Sequence, residues 1–429
     1  MLLKRLGAHP GGAGQLSREA SSSLTPAPRL RMTSNAFLRQ CQHQQRAAYH
    51  SDPMTGEPMG PRDLDASLLV VEENKDRKAP PPSSTLVFGH SFSDHMLTAA
   101  WNSKTGWAPP AIHAYRPLTL DPSSVIFHYA PSLFEGMKAY KDVQGRLRLF
   151  RPDMNMKRLN NSAHRIALPP VNGKERMLHG VPSEPGYSLY IRPTLIGTQA
   201  ALGVHPTNDA LLFCIMSPVG PYFKGGFKPV ALEADPTRVR AWPGGTGHYK
   251  LGGNYAPTLR PQMEAASHGY QQNLWLFGED HKLTEVGTMN LFVVLQNEGG
   301  NGYEIVTPPL NGTILPGVTR DSILTLARDH YREIEGLPSA QELTVSEREI
   351  TMGEVQQAGK DGRLLEIFGA GTAAVVSPVD RIGFQGQDID IPVGPEGIGK
   401  VAKAMLNRMN DIQLGRIEHP WSVCIEDLL

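Results

Sequence analysis

The sequence predicts an α+β protein with two globular domains. Three observations carry that expectation. From about residue 85, short apolar strands and amphipathic helices mix without the regular strand–helix alternation of a doubly wound sheet. A Gly/Pro-rich interruption, Gly220-Pro221-Tyr222-Phe223-Lys224-Gly225-Gly226, divides this stretch in two. The chain has 429 residues, 40% of them apolar, which is enough for more than one core. The expected division is a small domain over 85–224 and a large one over 225–429.

Two segments precede the globular part. Residues 1–50 hold seven of the 42 basic residues (Lys4, Arg5, Arg18, Arg29, Arg31, Arg39, Arg46) and one of the 42 acids, Glu19. Arg-rich, Ser-rich and acid-poor, they match a mitochondrial transit peptide, with a disordered basic tail as the alternative. Cleavage is expected near Arg46-Ala47-Ala48-Tyr49-His50. Residues 51–84, rich in Pro and charge (Lys78-Ala79-Pro80-Pro81-Pro82), read as a flexible arm.

The remaining elements follow from periodicity. Ser123–Tyr129 reads as an apolar strand, and Leu147–Phe150 as a short one. Asp153 can cap a helix with Met156, Leu159, Ala163 and Ile166 on its apolar face. Ser188–Arg192 alternates as a half-buried strand does, whereas Ala210–Met216 is continuously apolar. In the second half, a helix is expected from about Tyr255 to Gly269. Strands follow at Asn273–Phe277, Asn290–Leu295 and Tyr303–Thr307. Ile314-Leu315-Pro316-Gly317-Val318-Thr319-Arg320 opens a helix running to Tyr331. Leu364–Phe368 is a strand ending in Gly369-Ala370-Gly371-Thr372, and a helix covers Ile398–Gln413.

Composition excludes several functions. Removing the first 50 residues leaves 35 basic and 41 acidic side chains, a mildly acidic body without the basic face of a nucleic-acid binder. The three cysteines, Cys41, Cys214 and Cys424, are isolated and form neither a disulfide framework nor a zinc motif. The histidines lack metal-ligand spacing. No apolar run approaches the ~18 residues of a membrane span. Gly394-Pro395-Glu396-Gly397-Ile398-Gly399-Lys400 matches the spacing of a phosphate-binding loop. However, Val401 stands where such a loop needs Ser or Thr, and prolines interrupt the strand that should lead into it.

The chemical candidate is Lys250, inside Gly244-Gly245-Thr246-Gly247-His248-Tyr249-Lys250-Leu251-Gly252-Gly253-Asn254-Tyr255. Glycines on both sides would let a flat ligand approach the backbone, leaving the lysine amine as the nucleophile for an aldehyde cofactor. The alternative is a glycine-rich surface loop with a solvated lysine. A pyridoxal phosphate site also needs an anion cradle, an acid beside the ring nitrogen and a donor near the ring hydroxyl. The helix start at Pro316-Gly317-Val318-Thr319 and the Gly369-Ala370-Gly371-Thr372 turn are candidate cradles, or ordinary caps. Arg158 on the first helix is a candidate cation, or a solvated one. Glu285, in Leu283-Thr284-Glu285-Val286-Gly287-Thr288, would be partly desolvated and in need of a cationic partner. Tyr255 could reach the ring oxygen or lie in the core.

These segments carry a family resemblance from about residue 90 onward. Leu133-Phe134-Glu135-Gly136-Met137-Lys138, Leu149-Phe150-Arg151-Pro152, Leu189-Tyr190-Ile191-Arg192-Pro193, Tyr249 through Tyr255, Leu283 through Asn290, Thr307 through Gly312 and Ile314 through Arg320 together resemble the branched-chain-amino-acid aminotransferases. The resemblance implies a fold-type IV pyridoxal-phosphate enzyme with its active site between two domains, and a mitochondrial form. It implies exchange of the amino group of leucine, isoleucine or valine with 2-oxoglutarate. It assigns the Schiff-base lysine to Lys250, the ring-nitrogen partner to Glu285 and the ring-hydroxyl donor to Tyr255. Arg158, Val318, Thr319 and Thr372 fall in the phosphate cradle. Tyr129, Phe134, Tyr190, Tyr222, Thr288 and Ala373 line the substrate pocket, and Arg192 receives the distal carboxylate of glutamate or 2-oxoglutarate. The partners implied are amino acids, 2-oxo acids and a second copy of the chain. Some members carry a redox Cys-x-x-Cys after the Gly-x-Gly-Thr turn. Here those positions are Ala374 and Ser377, so that regulation is expected to be absent.

Overall fold

A computed structural model of the chain describes residues 62–77, 81–171, 187–220, 228–329, 334–337 and 343–428. The expected transit segment 1–50 lies outside them. The backbone forms two sheets, and the chain crosses from one to the other between Val219 and Val230.

Among the described residues, the first sheet has ten strands. Its long central pair, Ser188–Gly197 and Asp209–Val219, is antiparallel and in register over ten residue pairs. On one side the order continues through His95–Asn102 and Ala111–Ala114 to Val70–Val71. On the other it runs through Met137–Lys141 and Leu147–Phe150 to Ser422–Cys424. Both outer strands differ from the sequence reading. Within the arm expected over 51–84, Val70–Val71 pairs in parallel with Ala111 and Ile112. At the far edge, Ser422–Cys424 brings the end of the second half back onto the first sheet.

Among the described residues, the second sheet has nine strands, six of which close into a barrel. Around the ring they are Lys282–Val286, Gln272–Phe277, Val230–Ala234, Val375–Phe384, Leu364–Gly371 and Met289–Gln296. Pairing of Glu285 with Asn290 and Val286 with Met289 completes the circle. Leu291, Val293 and Leu295 pack on one face with Leu232, Leu274 and Ile367. Phe292 and Val294 point to the other face, against Phe368 and the helices Val318–Asp329 and Lys400–Gln413. Both faces are covered, which is why the strand reads as an unbroken apolar run.

One expected strand is a helix. Val125–Tyr129 forms a single helical turn closed by Ala130 at φ 52°. The Asp121 carboxylate takes hydrogen bonds from the backbone N–H and the hydroxyl of Ser123, at 2.8 and 2.6 Å. That turn chemistry outweighs the apolar run after it. The helix expected from Tyr255 begins with one 3-10 turn, Ala256–Thr258, and becomes regular only at Leu259–Ser267. The helix with the Met156–Ile166 face spans Pro152–Arg165, so Asp153 lies in its first turn and Arg151 precedes it.

The phosphate-loop-like motif is also resolved. Its helix, Lys400–Gln413, starts just after Gly399. The N-terminus is filled by Glu366, whose carboxylate accepts the backbone N–H groups of Val401 and Ala402 at 2.8 and 3.0 Å. A Cβ on Gly399 would lie 2.0 Å from Cδ of Glu366. The motif is therefore a helix cap whose anion is a buried side chain. Replacing Glu366 with Ala should cost about 2 kcal/mol. The urea midpoint should fall accordingly; an unchanged midpoint would remove the capping role.

Candidate active site

Lys250 lies in the connection between the strand Val230–Ala234 and the helix Leu259–Ser267. Asn254 staples this loop: its Nδ2 donates to the carbonyls of Thr246 and Tyr249 at 2.8 and 2.9 Å, and its Oδ1 accepts from Thr246 Oγ1 at 2.8 Å. The backbone N–H of Lys250 donates to Ser162 Oγ at 2.9 Å, and its carbonyl accepts from the N–H of Phe134 at 3.1 Å. Both peptide groups of the lysine are thus held by the first half of the chain. The flanking glycines serve packing more than ligand access. A Cβ on Gly247 would lie 2.1 Å from Cβ of Ala241, and one on Gly252 would lie 2.3 Å from Ser132 Oγ. Gly253 has open space around it.

The lysine amine donates to Tyr255 Oη at 3.2 Å and lies 4.9 Å from the Phe134 ring centroid. Burial, and then the positive charge of Arg158, pull its pKa down to about 8. Burial pushes the Tyr255 phenol up to about 12, so it is a protonated donor.

Two buried carboxylate–guanidinium pairs flank this amine. Glu285, 2% exposed, pairs with Arg240 at 2.7 Å and accepts the N–H of Leu315 at 2.8 Å and Asn290 Nδ2 at 3.1 Å. Burial raises its pKa, while Arg240 and the Leu315 N–H pull it back. Glu135 is fully buried and accepts from Nε and Nη2 of Arg158 at 2.8 and 2.9 Å. Asn155 Nδ2 adds a bond to the same carboxylate at 2.8 Å. The sequence reading missed Arg240, Glu135, Asn155 and Ser162. Glu135 carried the same signal that singled out Glu285, an acid set among apolar and small residues.

The residues expected to form the cradle lie near one another. Val318 and Thr319 open the helix Val318–Asp329, whose first N–H groups have no intrahelical acceptor. Arg158 Nη1 donates to the carbonyl of Pro316, two residues ahead of that helix, at 3.1 Å. Thr372 lies with Val318 and Thr319 on the wall of one small cavity. After two bonds to Glu135 and one to Pro316, the guanidinium of Arg158 keeps two N–H donors for a ligand.

The expected pocket residues divide. Phe134 packs at 4.9 Å from the Tyr255 ring, and Arg192 lies over it, 4.6 Å from the centroid. Arg192 Nη2 donates to Tyr190 Oη at 3.0 Å, and its Nε is buried without a protein partner. Thr288 is exposed on the turn between the strands Lys282–Val286 and Met289–Gln296. Ala373 follows Thr372 and accepts from Lys138 Nζ at 2.7 Å. Tyr129 is 43% exposed and donates its hydroxyl to the carbonyl of Leu202, away from the lysine contacts. Tyr222 lies outside the described residues. Ala374 and Ser377 are both buried, and no thiol stands at either position. Cys214 is buried too, and burial pushes its thiol up to about 12, which makes it unreactive.

This donor set fits pyridoxal phosphate. It has a neutralisable amine, a protonated phenol 3.2 Å from it, a buried carboxylate, and an arginine with spare donors beside a helix N-terminus. Among the described residues, no cluster of His, Cys, Asp or Glu could hold a metal ion.

Comparison with known proteins agrees with that chemistry. Residues 132–382 match the family model described as amino-transferase class IV. The cytosolic branched-chain-amino-acid aminotransferase of Saccharomyces cerevisiae is 54% identical over 377 residues, 85% of this chain and 98% of that protein. The mitochondrial enzyme of the same yeast is 51% identical over 377 residues, 85% of this chain and 94% of its own. A solved structure of the branched-chain aminotransferase from Thermobaculum terrenum, in its pyridoxal-phosphate form, shares the fold with a TM-score of 0.58. It is 21% identical and covers 77% of this chain and 98% of its own.

The lowered pKa makes a kinetic prediction. Only the neutral amine attacks an aldehyde, so capture of pyridoxal phosphate by the apoprotein should accelerate as pH rises through about 8. Stopped-flow absorbance should give that midpoint; one near the ordinary lysine value of about 10.4 would contradict the buried environment.

Proposed function

The chain belongs to the amino-transferase class IV family, and from that premise we infer what its site does. It is a pyridoxal-phosphate-dependent branched-chain-amino-acid aminotransferase, moving the amino group of leucine, isoleucine or valine to 2-oxoglutarate. The observation that carries the residue assignments is the contact of Lys250 with Tyr255 between two buried carboxylate–guanidinium pairs.

When bound, pyridoxal phosphate supplies an aldehyde that takes up the amine and a ring that accepts electrons from the substrate α-carbon. Lys250, poised near neutrality, holds the cofactor and then carries the proton at the α-carbon, first as base and then as acid. Glu285 keeps a proton at the ring nitrogen. Arg240 and the Leu315 N–H favour its anionic form against the penalty of burial. Tyr255 donates to the ring hydroxyl oxygen. Arg158, Val318, Thr319 and Thr372 receive the phosphate.

Substrate groups are divided between two surfaces. Phe134 and Tyr190 provide aromatic walls for a branched aliphatic chain. Arg192, with its unpartnered buried Nε, receives the distal carboxylate when glutamate or 2-oxoglutarate occupies the same space. Thr288 and Ala373 are assigned to the same substrate pocket in this reading.

The chain works as a homodimer in this reading. An exposed apolar set that includes Phe127 (60% exposed), Leu202 (68%) and Val204 (83%), together with Tyr129, supports it. The basic, acid-poor segment 1–50 supports import into mitochondria, where one of the two yeast relatives is named as residing.

Two measurements test these assignments. Glu285→Gln should slow the half-reaction with leucine about a hundredfold or more while cofactor retention changes far less. An unchanged half-reaction rate removes the assigned role. Light scattering should return twice the 46.9 kDa of one chain or of its processed form. A monomer mass at micromolar concentration would overturn the dimer.

A further inference from the structure

Lys138 is a half-buried lysine with no part in the chemistry described so far. It stands on the strand Met137–Lys141 of the first sheet. Its Nζ donates to the carbonyl of Ala373, on the turn that leaves the barrel strand Leu364–Gly371. Burial pulls its pKa down to about 8. The small cavity beside it is lined also by Asn155, Thr319, Thr372 and Gln413. Gln413 is 4% exposed, and its Oε1 has no protein partner.

The placement parallels that of Arg158. Arg158 grips the carbonyl of Pro316, just ahead of one anion-receiving turn. Lys138 grips the carbonyl of Ala373, just past the other. In each case a cation from the first half of the chain holds a carbonyl beside a cradle residue of the second half. An ammonium desolvated only to make one hydrogen bond would cost more than an apolar side chain in its place. A dianionic ligand at Thr319 and Thr372 would offset that cost, because both threonines line the same cavity as the lysine.

We propose that Lys138 is a positioning residue for the cofactor phosphate, tying the Thr372–Ala373 turn to the first sheet and placing a second positive charge at the cradle. The inference rests on the pyridoxal-phosphate reading above. In full-length protein, Lys138→Met should weaken pyridoxal phosphate binding about tenfold or more, as expected for a lost hydrogen bond to a charged group. Lys138→Arg should restore affinity to within about threefold, and Lys138→Gln, which keeps a donor but no charge, should fall between them. A role confined to folding would lower the thermal midpoint and leave the dissociation constant unmoved, which overturns the proposal. Equal affinity of the Met variant and wild type overturns it as well. Wild-type protein that binds no pyridoxal phosphate overturns both the underlying reading and the proposal.

Discussion

The site depends on how the backbone of one residue is held on both sides. The N–H of Lys250 is bound by Ser162 of the helix Pro152–Arg165 and its carbonyl by Phe134 of the first sheet, while the side chain turns to Tyr255 in its own loop. The lysine is thus covalently part of the connection that follows the first barrel strand, yet fixed in space by the other half. Separating the two halves would leave the amine without direction. Such a nucleophile gains from being clamped by rigid elements instead of by its own loop.

Burial does the rest of the electrostatic work. An isolated carboxylate or guanidinium would be expensive here, and each is paired: Glu285 with Arg240, Glu135 with Arg158. The pairs have different reach. Burial raises the pKa of Glu285, and Arg240 and a backbone N–H pull it back toward the anion, the form that the proposed contact with a protonated ring nitrogen requires. Glu135 spends its oxygens on orienting Arg158 and leaves that arginine two free donors. The net positive field of Arg158 on Lys250, added to desolvation, brings the amine close to neutrality.

The sequence pointed to Lys250, Tyr255 and Glu285 more readily than to the residues packed around them. Local chemistry made each of the three a candidate and left a plain structural reading open, and the family resemblance supplied the proposed roles. Arg240, Ser162 and Asn155 were not candidates, because a helix serine or asparagine and a loop arginine look like solvent-facing residues until tertiary packing buries them. The glycines around Lys250 were read for the wrong neighbour: Gly247 and Gly252 make room for Ala241 and Ser132. The strand Met289–Gln296 was visible as an apolar run, but closure of the barrel through Glu285–Asn290 and Val286–Met289 is a long-range fact that no local pattern carries. The strand expected at Ser123–Tyr129 failed for a local reason, since the Asp121–Ser123 turn starts a helix there.

The edge strand Ser422–Cys424 has a consequence for biogenesis. It completes the first sheet by pairing with Leu147–Phe150, yet it follows every barrel strand in the chain. During synthesis the earlier half must therefore wait, with Leu147–Phe150 as an open edge, until the later half has left the ribosome. Domains generally fold as they emerge. Here the order is inverted at the last step: the barrel can close first, and the half that was made first is sealed last.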